Sequence, residues 1–286
     1  MTTIPFVKYH GLGNDFVLID NRHQPRLVLT PAQVSQVCDR HQGIGADGII
    51  FLKTAPTPAE SAAIVILNSD GSEAQMCGNG VRCLAHFMQD LKIPTQGGNY
   101  PLWTGAGRIT LQLQADGTVT VDMGLPRLAA AQIPTTLSTE QVLEMPLEVA
   151  DRTFIVTCVS MGNPHTIIFG ETPRDWQQWG QRIEHHPYFP ERTNVHFVQV
   201  IDEHTLNVQV WERGAGATLA CGTGACAVLV AAILTGRAKS PARVHLPGGP
   251  LMISWTGENV WMQGPATRVF AGSFDLTTFI ETPGIG

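Results

Sequence analysis

Charge is the first thing this 286-residue chain has little of: Asp, Glu, Lys and Arg make up 15% of it, and the formal net charge is −6. With a sequence pI of about 5.9 there is no basic footprint for nucleic acid or an anionic membrane, so the expected partner is a small molecule. Long hydrophobic runs are missing as well. The longest, Ala225 to Leu234, falls well short of the roughly 20 residues that cross a bilayer and reads as a buried helix. Met1 to Asp20 lacks a basic leader followed by an apolar core, which gives the expectation of a cytoplasmic protein. Cysteine is scarce: six residues at 38, 77, 83, 158, 221 and 226, without a Cys-x-x-Cys, argue against a disulfide framework and against structural zinc. Free thiols in a reducing compartment are expected instead.

What is present points to a folded, duplicated chain. A hydrophobic content of 43% can bury a sizeable core, and 29 glycines with 19 prolines imply many turns and short strands. Cys77-Gly78-Asn79-Gly80 and Cys221-Gly222-Thr223-Gly224 repeat one short motif about half a chain apart. The surroundings repeat too. Ile64 to Leu67 reads as a buried strand before the first motif, and Val81, Leu84, Ala85, Met88 and Leu91 then recur at helical spacing. Ile109, Leu111 and Leu113 alternate with polar residues, Asp116-Gly117 turns the chain, and Thr118 to Met123 returns. In the second half Thr205 to Trp211 alternates, the motif and an apolar helix follow, and Leu251 to Trp255 with Asn259 to Gln263 forms the closing hairpin. A helix apolar nearly all round must be covered. The expected fold is therefore α+β, with two pseudo-symmetric domains, each a curved sheet or half-barrel around a central helix. The expected boundaries are 1–125, 126–266 and a C-terminal segment, 267–286, that either extends the second domain or returns to the first.

Each motif places a cysteine before glycines that open a helix. At such an N-terminus, unpaired amides and the macrodipole favour thiolate over thiol, and the same amides can hold a carboxylate. Two thiolates on either side of one carbon would repel, so the working form is one thiolate and one thiol. That pair suits stereoinversion, in which one sulfur removes a proton and the other delivers one to the opposite face. Such chemistry needs no metal. A single Cys-Gly-x-Gly would more simply be a buried small hydrophobe; it is the duplication that favours chemistry. Cys38, Cys83, Cys158 and Cys226 lack the glycine pattern and read as core residues. A redox-responsive binding protein, whose paired cysteines form a reversible disulfide, is the alternative from another class.

Further segments carry a family resemblance. Asn68-Ser69-Asp70-Gly71-Ser72 with Met76 to Arg82, His10 to Phe16, Met161-Gly162-Asn163-Pro164-His165, Pro190 to Asn194, and Glu212-Arg213-Gly214 through Gly224 resemble, in order, the segments of diaminopimelate epimerases. The related proline racemases usually carry His where this chain has Asn79. The resemblance implies a cofactor-independent, PLP-independent enzyme interconverting LL- and meso-diaminopimelate in lysine biosynthesis and, in most bacteria, peptidoglycan synthesis. It further implies a homodimer. By the same resemblance Cys77 and Cys221 are the acid/base pair. Gly78, Asn79, Gly222 and Thr223, with Asn14 nearby, hold the reacting carboxylate, and Asn68, Asn163, Asn194 and Arg213 hold the distal end. His165 and Glu212 tune the cysteines: a protonated His165 would favour thiolate, and an ionised Glu212 would oppose it, or would join the substrate-binding set by accepting a hydrogen bond from a thiol or ammonium group. Gly48 stands where many bacterial members have a substrate-contacting glutamine.

Overall fold

The computed structural model describes residues 3–279. In chain order the elements are β1 (Thr3–Gly11), β2 (Asn14–Asp20), α1 (Pro31–Cys38), β3 (Gly48–Lys53), β4 (Ala62–Asn68), β5 (Glu73–Ala74), α2 (Gly78–Asp90), β6 (Asn99–Thr104), β7 (Gly107–Leu113) and β8 (Val119–Asp122). They continue as β9 (Met145–Val149), β10 (Arg152–Ser160), β11 (Pro164–Phe169), α3 (Trp176–Glu184), β12 (Asn194–Asp202), β13 (Thr205–Glu212), β14 (Gly216–Ala217), α4 (Gly222–Leu234), β15 (Ala242–Leu246), β16 (Gly249–Ser254), β17 (Trp261–Gly264) and β18 (Thr267–Asp275). The chain divides into two units: the part up to Val121 together with the part from Pro265, and Asp122–Gly264. Residues 276–279 of the C-terminal segment form a short 3-10 turn after β18, while 280–286 lie outside the described residues.

Both units follow one topology. In the first, β2 and β3 pair in parallel with α1 between them, β3 and β4 pair antiparallel, and α2 lies in the crossover from β4 and β5 to the parallel β6. In the second, β11 and β12 are parallel with α3 between them, β12 and β13 antiparallel, and α4 lies in the crossover to the parallel β15. The last strand, β18, pairs antiparallel with β1, as β9 does with β10.

Strands buried on two faces explain the continuous apolar runs of the sequence. In β2 and β3, Val17, Ile19, Ile49 and Phe51 face the layer of α1 with Val34 and Val37, whereas Ile50 meets the first turn of α2 at Gly80. Val195 and Phe197 of β12 likewise join Trp179 and Ile183 of α3. The sheet of the second unit surrounds α4, which touches β10, β11, β12, β15, β16 and β17 and is buried along nearly its whole length. Its run of Ala, Cys, Val and Leu is what such a site requires, each Val or Leu contributing about 1.5–3 kcal/mol on burial. None of the helices among the described residues is long and apolar enough to cross a membrane.

Candidate active site

Each unit opens its central helix with a cysteine. Cys77 is the N-cap of α2 and Cys221 the N-cap of α4, both with extended backbone (φ −141° and −125°) and neither capping its helix through its own side chain. The first helical bonds run from Val81 to the Cys77 carbonyl and from Ala225 to the Cys221 carbonyl. The amides of the three residues before each donor are therefore not used within the helix, and they supply the partial positive charge of a helix N-terminus.

In the first unit, Cys77 is half-buried and its thiol approaches the Asn14 side-chain oxygen at 3.7 Å. Asn79 donates to the same oxygen at 3.2 Å. The other end of Asn14 is fixed: its Nδ2 donates to Asp47 Oδ2 at 2.7 Å, and Arg40 bridges Asp47 to Asp15. Burial would raise Asp15, but hydrogen bonds from Arg40 and Lys8 overcome this and hold it down at about 2. Asn68, exposed at the end of β4, reaches the same corner because Ser69 N–H donates to the Asp47 carbonyl. Beneath the first turn of α2 lies the fully buried guanidinium of Arg82, donating to the carbonyls of Gly78 and Pro265 and to Asn79 Oδ1 at 3.0–3.2 Å. A Cβ at Gly48 would stand 2.6 Å from the Leu67 carbonyl, so a side chain there requires the strands to shift.

In the second unit, Cys221 is 4% exposed. Burial pushes its thiol well above the ordinary range, Glu212 adds to this through its negative charge and a hydrogen bond, and Thr223 and the Gly224 amide act in the opposite sense. Thr218 donates to Glu212 Oε1 at 2.5 Å. The Thr223 hydroxyl lies 3.5 Å from the Cys221 sulfur and accepts from Asn163 Nδ2 at 3.3 Å; Asn163 Oδ1 in turn meets His165 Nε2 at 3.0 Å. His165 is not a cation here. Burial, then the neighbouring His196 and Arg213, push it well below the usual imidazole range, so it acts as a neutral hydrogen-bonding ring and not through a positive charge.

Asn194 and Arg213 form a second corner of this unit. Buried Asn194 donates to the Pro164 carbonyl at 2.8 Å and accepts the Arg213 backbone N–H at 3.0 Å, while the exposed Arg213 head donates to the Glu191 carbonyl. The turn after β13 is pinned by Glu184, a buried carboxylate at the end of α3 that accepts from Trp211 Nε1 at 2.7 Å and Gly214 N–H at 2.8 Å. The first unit thus brings together Asn14, Asn68, Cys77, Gly78 and Asn79. The second brings together Cys221, Gly222, Thr223, Asn163, His165 and Glu212, with Asn194 and Arg213 beside them. Asp47, Arg82, Glu184 and His196 were not assigned site roles by sequence reasoning. Two of them had a signal: Asp47 sits between Gly45 and Gly48, and Arg82 lies inside the cysteine motif.

Known proteins resemble this chain in sequence and in fold. A family model described as "Diaminopimelate epimerase" matches residues 6–129 and 157–269. The protein named diaminopimelate epimerase in Synechococcus sp. (strain JA-3-3Ab) is 55% identical over 279 residues, covering 94% of this chain and 98% of that protein. Its namesake in Nostoc punctiforme is also 55% identical over 279 residues, covering 94% and 99%. Among solved structures, a hydroxyproline epimerase from Agrobacterium vitis with bound trans-4-hydroxy-L-proline superimposes with a TM-score of 0.70 at 14% identity, covering 97% of this chain and 94% of that one. A PhzF-family phenazine biosynthesis protein of Bacillus anthracis gives 0.68 at 13% identity over 96% and 100%. These two likenesses concern the fold alone, whereas the family match and the sequence relatives together establish that the chain belongs to the diaminopimelate epimerase family.

Proposed function

We propose that this chain interconverts LL- and meso-diaminopimelate without a cofactor, in the cytoplasm and as a homodimer, by moving a proton between Cys77, the substrate α-carbon and Cys221. The observation that carries the reading is the repeated placement of a cysteine at the mouth of a buried helix, in a chain of this family. In one direction a thiolate takes the α-proton and becomes a thiol, the electron pair stays on the α-carbon and spreads into the carboxylate, and the opposite thiol gives up its proton to the other face. Amides at Gly78, Asn79, Gly222 and Thr223 bind the carboxylate on which that charge develops. Glu212 favours a protonated Cys221, so in the proposed resting pair the proton sits on Cys221 and the negative charge on Cys77, at the N-terminus of α2. Arg213 suits the distal carboxylate, since a guanidinium can bind one through two parallel hydrogen bonds. Asn68, Asn163 and Asn194 add neutral donors and acceptors.

The test is to incubate the reduced protein with LL-diaminopimelate in heavy water. The expected result is meso-diaminopimelate carrying solvent deuterium at the inverted carbon, with turnover lost in Cys77→Ser and in Cys221→Ser. Absence of both deuterium uptake and meso product from the reduced protein would overturn the proposal.

A further inference from the structure

His196, on β12, has no part in the chemistry above, yet it is fully buried against the helix that carries Cys221. Gly224 explains how the ring fits: a Cβ at that position would lie 2.3 Å from His196 Cε1, 2.8 Å from His196 Nε2 and 3.1 Å from the Cys221 sulfur. The imidazole and the sulfur thus flank one point, which glycine leaves open. His196 Nε2 is 2.9 Å from His165 Nδ1. Among the described residues, His165 from β11 meets the ring directly and Cys221 from α4 faces it across the Gly224 position, while its register partners on β11 and β13 are the apolar Ile167 and Val210.

Hydrogen-bond roles along this row follow from one another. The Asn163 amide turns its oxygen to His165 and its nitrogen to Thr223, so His165 Nε2 must carry the proton that it donates. A neutral His165 then has a bare Nδ1, which can only accept, and His196 must donate its Nε2–H. That leaves His196 Nδ1 bare, and among the described residues it is buried without a hydrogen-bond partner. At the other end, Thr223 Oγ1 already accepts from Asn163, so its own hydroxyl hydrogen is left for the sulfur.

We propose that His196 is a positioning residue for Cys221, donating to His165 and so fixing a one-way row of hydrogen bonds that ends with the Thr223 hydroxyl aimed at the Cys221 sulfur. A hydroxyl donating to sulfur stabilises the thiolate, so the row supports the half of the cycle in which Cys221 removes the proton, against the opposing pull of Glu212. The inference rests on the proposed function, because only there does Cys221 have to ionise.

Nitrogen-15 NMR of the wild-type imidazoles tests the row without any variant. Both rings are expected neutral and protonated at Nε2; His165 protonated at Nδ1 would overturn the proposal. In the epimerase assay, His196→Phe, which keeps a ring but loses the donor, is expected to lower kcat about tenfold in both directions with KM within about twofold, equivalent to one lost hydrogen bond. The limb of the pH profile belonging to Cys221 should move up by about one unit. His196→Gln, whose amide can still donate to His165, should recover most of the loss. Wild-type kcat and pH profile in His196→Phe, or equal impairment in the Gln variant, would overturn the role. If the wild-type protein takes up no solvent deuterium, the proposed function fails, and the tautomers still decide the row by themselves.

Discussion

Lowering the pH from 7 to 5 is expected to remove about 2 kcal/mol of stability from the second unit through His196, and more through His165, because both imidazoles are buried and resist protonation. Burial holds His196 at about 3, and burial with the neighbouring His196 and Arg213 holds His165 well below the ordinary 6.5. In the unfolded chain both rings titrate near 6.5. The unfolded state therefore binds protons that the folded state refuses, and stability rises with pH. His196 contributes about 1.4 kcal/mol per pH unit once the pH is well below 6.5, or about 2 kcal/mol between pH 7 and 5, and His165 adds to the loss in the same direction. The loss continues until His196 can charge in the folded state, near 3. Asp15 in the first unit works in another window. Its depressed value means that its contribution is intact above about 4 and is lost as the pH falls through about 2. Urea unfolding at pH 7, 6 and 5, followed by tryptophan fluorescence, reports mainly the second unit, which holds Trp176, Trp179, Trp211, Trp255 and Trp261. The His196→Phe variant should show a shallower slope, by the His196 share of about 2 kcal/mol between pH 7 and 5. A urea midpoint unchanged between pH 7 and 5 would refute the reasoning.

Gly224→Ala should destabilise the protein even though alanine is the better helix former by about 1 kcal/mol, since the new methyl group would press on the His196 ring at 2.3 Å. A net loss of about 1–2 kcal/mol is expected, read as a lower thermal midpoint. At the matching Gly80 the new group presses on the tip of Ile50 at 2.7 Å and meets Phe16 at an ordinary contact distance of 3.5 Å, so Gly80→Ala should cost less, and the opposite ranking would contradict the packing described. Glu212→Gln removes the charge that, after burial, most raises Cys221. Thiolate absorbance at 240 nm, taken as the difference from Cys221→Ser, should then appear at lower pH; an unmoved titration would show that Glu212 does not act on this sulfur.

The sequence carried the local parts of the fold well. Strand Ile64–Leu67 is the core of β4, Thr205–Trp211 is β13, and the Asp116-Gly117 turn joins β7 to β8. Alternation and turn chemistry are written in neighbouring residues, and so they can be read there. Both central helices begin at the first glycine, earlier than apolar spacing alone marks, because the cysteine acts as N-cap and the glycines lack a side chain to reveal the helical face. The pairing of β1 with β18 joins opposite ends of the chain, and no local pattern encodes it. The same limit hid His196 and Glu184. Each looks ordinary in sequence and gains its role from partners on other elements: Gly224 and His165, Trp211 and Gly214.

Duplication alone would make the two cysteines equivalent, yet their surroundings differ in charge. At Cys77 the facing acceptor is the oxygen of Asn14, a neutral dipole held in place by Asp47, while a buried guanidinium braces the turn from behind. At Cys221 a carboxylate, Glu212, faces a buried sulfur, and the groups that oppose it are the Thr223 hydroxyl and the Gly224 amide. A full negative charge acts on a nearby thiolate more strongly than an amide dipole does, and low polarity around Cys221 amplifies the difference. In the proposed mechanism the proton then has a preferred resting side, and a pair built from one repeated motif acquires one acid and one base. Turnover must periodically reverse that preference, which requires a counterweight at Cys221. In the arrangement proposed here the row from His196 to Thr223 is that counterweight, set against Glu212 so that neither form of the sulfur is trapped.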